Sequence, residues 1–155
     1  MAAGDLTLFE EWLVDDGEGD IHDYEVDVFK IALITNGVTP AAADGTPMWS
    51  VGSGKNYDGN EVSPIVAPYV AGGLTLANPS YSEAAGVATF DCDNPAVITQ
   101  DAGGFTDAYW GIIYNFTATN KNAIAFLDLG GPVSQVDGAI TITISASGIF
   151  TKTIT

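Results

Sequence analysis

Arginine is absent from this 155-residue chain, histidine and cysteine occur once each (His22 and Cys92), and four lysines stand against twenty carboxylates. Each shortage excludes something. Without arginine there is no bidentate fork for a phosphate or a guanine edge, and a net charge of −16 repels both, so nucleic acid is not an expected partner. A lone cysteine makes no internal disulfide, and Cys92 reads as a small apolar residue. With no second His or Cys beside it, His22, set among carboxylates, reads as a solvated side chain and not as a base or metal ligand. No apolar run approaches the ~18 residues of a membrane span, and the opening Met-Ala-Ala-Gly-Asp has no positive n-region. The expectation is a chain made and kept in a cytoplasm-like compartment, with no membrane partner, no cofactor, no resident metal and no catalytic residues.

What is present is unevenly distributed. Ten of the acids, from Asp5 to Asp27, precede the first cation at Lys30, so residues 1–28 carry −10 and the other ten acids and four lysines give −6. A chain of this length suits one domain, burying roughly 70% of its unfolded surface. The 46% apolar content excludes general disorder, while a charged fraction of 15% leaves Thr, Ser, Asn and Gly to cover much of the surface, which suits contact with other proteins.

Along the chain, Leu6, Phe9 and Leu13 fall at i, i+3 and i+7, predicting a short helix over 6–14 with Asp5 as N-cap and Trp12 off the stripe. A nine-residue helix is marginal alone and must dock on the body or on a neighbouring subunit. The run DDGEGD at 15–20 reads as a solvated linker, so residues 1–27 form a helix and acidic arm. From Tyr24 the period becomes two, through Val26 and Val28 into Phe29–Thr35, a strand entering the core of a domain spanning 28–155. Residues 41–68, rich in Ala, Gly, Ser, Asn and Pro, predict a long functional loop holding Trp49 and Tyr57. Strands are predicted at Tyr69–Leu76, Val87–Asp91, Tyr109–Phe116 and Ala123–Leu129. Ile140, Ile142 and Ile144 alternate with hydroxyl residues before an edge segment at 149–155. With no strand, helix, strand rhythm, the fold class is all-β: an antiparallel β-sandwich or jelly-roll-like domain with a short N-terminal helix.

The motifs that suggest chemistry have plainer readings. Gly54-Lys55 lacks the first glycine and the hydroxyl of a phosphate loop. Asp16, Glu18 and Asp20 have the spacing of a calcium loop, but Ile21 replaces its glycine and Asp27 its bidentate glutamate. Asp91 and Asp93 share a strand face without the buried partner that general acid catalysis needs. Asn115-Phe116-Thr117 is a glycosylation acceptor only in a secretory pathway. Aromatics amid Asn and Asp also suit a sugar-binding face, with Trp49 and Tyr57 the best placed.

Read in order, LTLFEEWLV, FKIALIT with Thr39-Pro40, the glycine-broken stretch Tyr69–Asn78 after Glu61-Val62-Ser63, Ala88–Asp91, Tyr109–Tyr114, Ala125–Gly130 and Ile140–Ile149 resemble a family of small structural proteins of tailed bacteriophages. That resemblance covers nearly the whole chain; the acidic 15–20 segment and the glycine-rich stretch around 45–60 depart from it. It implies a non-enzymatic virion protein, made in the bacterial host cytoplasm and bound to the outer capsid surface as a decoration or cement protein. Its partners would be the major capsid protein and further copies of itself, as a trimer in one form. A neck or tail protein of the same virion, and a glycan-binding receptor-recognition module, are the alternatives. The contacts between subunits are expected from Leu6, Phe9, Trp12 and Leu13 on the helix and from Trp49 and Tyr57 on the loop.

Overall fold

A computed structural model describes residues 2, 4–18, 21–50 and 52–154. The chain is all-β, and its main sheet is antiparallel throughout, with strand order β1-β9-β8-β2-β5. Its members are β1 (Leu6–Leu8), β2 (Phe29–Ile34), β5 (Leu74–Leu76), β8 (Ala108–Asn115) and β9 (Ala123–Val133). A second antiparallel sheet runs β10-β7-β6, from β6 (Ser80–Ala84), β7 (Val87–Asp91) and β10 (Phe150–Thr153). Two short strands, β3 (Pro47–Met48) and β4 (Lys55–Asn56), pair in parallel.

The period-2 pattern of β2 explains the layering. Phe29, Ile31 and Leu33 point to one face of the main sheet and Ala32 and Ile34 to the other, and all five are buried. The first face packs against the second sheet, where the Phe29 and Phe90 rings meet at 4.9 Å and Phe90 meets Phe150 at 5.3 Å. On the opposite face the 41–60 segment lies as a cover: Trp49 stacks on Tyr114 at 5.2 Å and Tyr57 meets Phe9 at 5.8 Å. Both faces of β2 and β8 are therefore dry, as their nearly unbroken apolar runs require. A bulge at Ile124, where Ile113 pairs with Ala125 and Tyr114 with Ala123, turns Ile124 and Ala125 into the same core.

Several expectations are corrected. The helix is not over 6–14: Leu6–Leu8 is strand β1, paired with β9, and the helix α1 runs Trp12–Gly17. Leu6 and Leu8 alternate around β-branched Thr7, and an available edge on β9 decides for the strand over the helical stripe. Residues 15–18 are no solvated linker. Asp15 is buried, the Tyr24 hydroxyl donates to Asp16 Oδ1 at 3.0 Å, and Asp16 Oδ2 pairs with Lys152. The segment expected to enter the core from Tyr24 is a turn, with Val26 77% exposed, and the strand begins at Phe29. The 41–68 loop is not free either. Asp44 accepts from Lys55 Nζ (2.7 Å), Tyr57 Oη (2.7 Å) and the Ala41 amide (2.9 Å), clasping the cover to itself. Burial opposes ionisation of Asp44, but these three donors outweigh it and hold its carboxyl below the usual range.

Ile140 and Ile142 are buried as their alternation requires, yet beyond the bridge between Ile140 and Ile98 their segment joins no ladder. The strand β6, absent from the sequence reading, forms a hairpin with β7 through Ala85 (φ +53°) and Gly86 (φ +81°). Positive φ at both central residues is the geometry that matches strand twist in a two-residue turn.

Candidate functional site

The most organised polar region lies where the acidic N-terminal segment meets the β8–β9 connection, and Asn115 is its organiser. This last residue of β8 is fully buried. Its Oδ1 accepts the amides of Thr117 (2.9 Å) and Ala118 (3.0 Å), fixing the start of the connection. Its Nδ2 donates to the Ile21 carbonyl (3.0 Å) and to Asp27 Oδ2 (2.7 Å), with His22 Nδ1 at 3.1 Å. Two amide protons face two oxygens and a ring nitrogen, which accepts only in the tautomer with its proton on Nε2. Thr117 Oγ1 in turn accepts the Val28 amide at 2.9 Å. Two segments about ninety residues apart are thus held in register by one side chain and its neighbour.

Between them opens a cavity of about 260 Å³ lined by Ile21, Asp27, Thr117, Ala118, Thr119, Asn120 and Asn122. Its lining is mostly polar. Asn122 closes one end, donating to Asp15 Oδ2 at 2.9 Å.

Behind this wall sits His22, its side chain fully enclosed, with Nε2 lacking a hydrogen-bond partner among the described residues and lying 3.9 Å from Asp15 Oδ2. Burial drives the imidazole pKa down to about 4 against the pull of Asp16 and Asp27, so it is neutral near pH 7. Burial likewise raises the Asp15 carboxyl, with Glu11 and Glu18 adding to it and the Asn122 hydrogen bond opposing. The contact is therefore no ordinary ion pair.

A pH dependence follows. A histidine whose folded pKa lies below its ordinary 6.5 stabilises the fold fully above 6.5, and that stability is lost as the pH falls toward 4, because only the unfolded chain takes up the proton. Between pH 7 and pH 5 the loss from His22 is about 2 kcal/mol. Asp15 and Glu61, both raised first by burial, act in the opposite sense, their folded forms taking up protons more readily on acidification. Urea unfolding at the two pH values should show a drop that His22→Gln removes; an equal drop in the variant would overturn the assignment.

The other residues singled out by sequence occupy plainer places. Phe9, Trp12, Trp49 and Tyr57 are buried and fill the core, while Leu6 (37% exposed) and Leu13 (66% exposed) remain outward. Trp49 and Tyr57 are thus withdrawn from any contact or sugar-stacking face by the cover they help build. The Lys55 ammonium is held by Asp44. Asp91 and Asp93 are not buried, Asp91 Oδ1 accepting the Cys92 amide and Asp93 Oδ2 the Asn78 side chain. Burial first, then Asp91 and Asp93, push the Cys92 thiol up to about 12, leaving it unreactive. Of the calcium-spaced acids, Asp16 is engaged by Lys152 and Tyr24, Glu18 is exposed, and Asp20 lies outside the described residues. Among the described residues no three His, Cys, Asp or Glu side chains gather to hold a metal, and no helix is long and apolar enough to cross a membrane. The acceptor of the Asn-Phe-Thr motif, Asn115, is enclosed with its amide fully engaged.

No family model, curated protein or solved structure matches this chain. The residues themselves carry the functional reading.

Sequence inspection missed Asn115 as an organiser. Its signal was slight: a polar residue closing an apolar strand, followed by a hydroxyl-rich connection.

Proposed function

We propose that this chain is a non-enzymatic structural protein of a tailed-phage virion that binds the assembled capsid shell from outside and stabilises it. The observation that carries this reading is the character of the N-terminal segment. It is anchored through Phe9, Trp12 and Asp15 yet turns Leu13, Val14 (50% exposed) and Val26 outward among exposed carboxylates. Apolar side chains held on a rigid, like-charged surface keep free copies apart and gain by burial only against a complementary partner. The ordered segments that resemble phage structural proteins supply the identity of that partner, the major capsid protein. A protein that binds the assembled shell and not its dissociated subunits shifts assembly by mass action, and many copies multiply the effect.

The test is co-sedimentation of purified protein with bare shells. Replacing Leu13, Val14 and Val26 together by serine, all at exposed positions, should leave the melting temperature within a few degrees. Shell occupancy should fall roughly tenfold or more, since about 1.4 kcal/mol of lost contact suffices for a factor of ten. Unchanged occupancy would exclude this face, and failure of the parent protein to bind shells would exclude the function.

A further inference from the structure

The cavity beneath the β8–β9 connection has no part in shell binding as proposed above, and its chemistry is specific. We infer that it is a binding site for a neutral sugar, taking a single pyranose ring.

The polar groups that line it keep spare hydrogen-bonding capacity. Asp27 uses Oδ2 for Asn115 and for the Asp23 amide, leaving Oδ1 without a hydrogen bond among the described residues. Thr119 and Asn120 make no side-chain hydrogen bond within the described chain, and both are exposed on the rim. Thr117 Oγ1 accepts from Val28 and retains its own proton to donate. Asn122 donates to Asp15 through Nδ2, leaving Oδ1 as an acceptor. A carboxylate, two hydroxyls and two amide groups line one space and offer both donors and acceptors. Ring hydroxyls, each both donor and acceptor, require that mixture.

Other ligand classes fit less well. An anion would meet Asp27 with no cation in the lining. A hard divalent cation takes six to eight oxygen ligands and favours several carboxylates, and among the described residues the lining holds one. An apolar ligand would strand the amides and the carboxylate without partners. The volume, about 260 Å³, is just under the usual range for small-molecule pockets, which suits one ring and not an extended chain.

The site is also preorganised. Asn115 fixes both walls before any ligand arrives, through the Thr117 and Ala118 amides on one side and Ile21 and Asp27 on the other. Little ordering is left to oppose binding. Ile21 and Ala118 are the apolar residues of the lining.

Saturation-transfer NMR on the full chain, with D-glucose, D-galactose, D-mannose, N-acetyl-D-glucosamine and L-rhamnose as separate probes, tests the site. At least one should give a saturable signal with a dissociation constant in the millimolar range, where about −4 kcal/mol of binding places it. Thr119→Val and Asn120→Ala break no side-chain hydrogen bond among the described residues, so each should keep the parent melting temperature while weakening binding several-fold. No signal from any of the five sugars, or a signal that both variants retain, would overturn the proposal. So would a melting temperature raised by calcium chloride and reversed by chelation, with no response to sugar. Shell co-sedimentation is a separate measurement, so the failure of either reading leaves the other standing.

Discussion

Trp12→Ala is expected to lower the unfolding free energy by about 3–5 kcal/mol, the range for deleting a buried tryptophan. Trp12 is 3% exposed, its ring 4.4 Å from that of Phe150, and its Nε1 donates to the Tyr24 hydroxyl at 2.9 Å. Tyr24 in turn touches Phe29, Tyr81 and Phe90, so the indole closes an aromatic cluster shared by both sheets. For a chain of this length a loss of that size lowers the melting temperature by roughly 10 °C or more. Were the N-terminal segment a detachable arm, the same change would cost well under 1 kcal/mol. Calorimetry on the variant decides between the two, and Leu13→Ala, one residue on and two-thirds exposed, is the internal control.

Gly73→Ala is the second large effect. Gly73 adopts φ +86°, and a Cβ there would lie 2.2 Å from the Ile31 carbonyl oxygen and 2.6 Å from the Ala32 Cα, both main-chain atoms of β2. Neither neighbour can move without disturbing a strand paired on both sides. The left-handed backbone costs a side chain about 1–2 kcal/mol, and the collision adds about 1–3 kcal/mol. Gly86 separates the two contributions: at φ +81° its added Cβ would meet nothing within 4 Å. Gly86→Ala should therefore show the backbone cost alone, and Gly73→Ala distinctly more, by denaturant unfolding. Equal losses would mean that β5 gives way and the close approach is not a constraint.

The glycine pair that broke the predicted strand Tyr69–Leu76 has in this way a mechanical reason. Only Leu74–Leu76 joins the ladder, and Gly73 lets the chain reach it against β2. Legibility elsewhere followed the same rule of local against distant causes. Val87–Asp91 agrees with its expected bounds, β9 contains its expected run, and β8 holds all of Tyr109–Phe116 but the last residue, because two-sided burial writes itself into consecutive residues. Where a distant partner decides, the local pattern misled. Leu6–Leu8 is a strand because β9 offers an edge, and Trp49 and Tyr57 are interior because a glycine-rich segment lies flat over Tyr114 and Phe9. The polar site was least legible. It depends on Asn115 reaching Ile21 and Asp27, contacts across about ninety residues for which no short-range periodicity exists.

The partnership of Trp12 with Phe150, and of Asp16 with Lys152, has a consequence in time. During synthesis, residues 12–18 leave the ribosome long before the residues that receive them, so until β10 emerges the indole has no ring from that strand to rest on. Contacts this distant in sequence are slow to form, and folding of the domain is completed only once residues 150–152 have emerged. Until then the nascent chain shows apolar faces of β2 and β8 that the second sheet has yet to cover. The ten carboxylates between Asp5 and Asp27, made before either face, repel the same segment of a neighbouring copy.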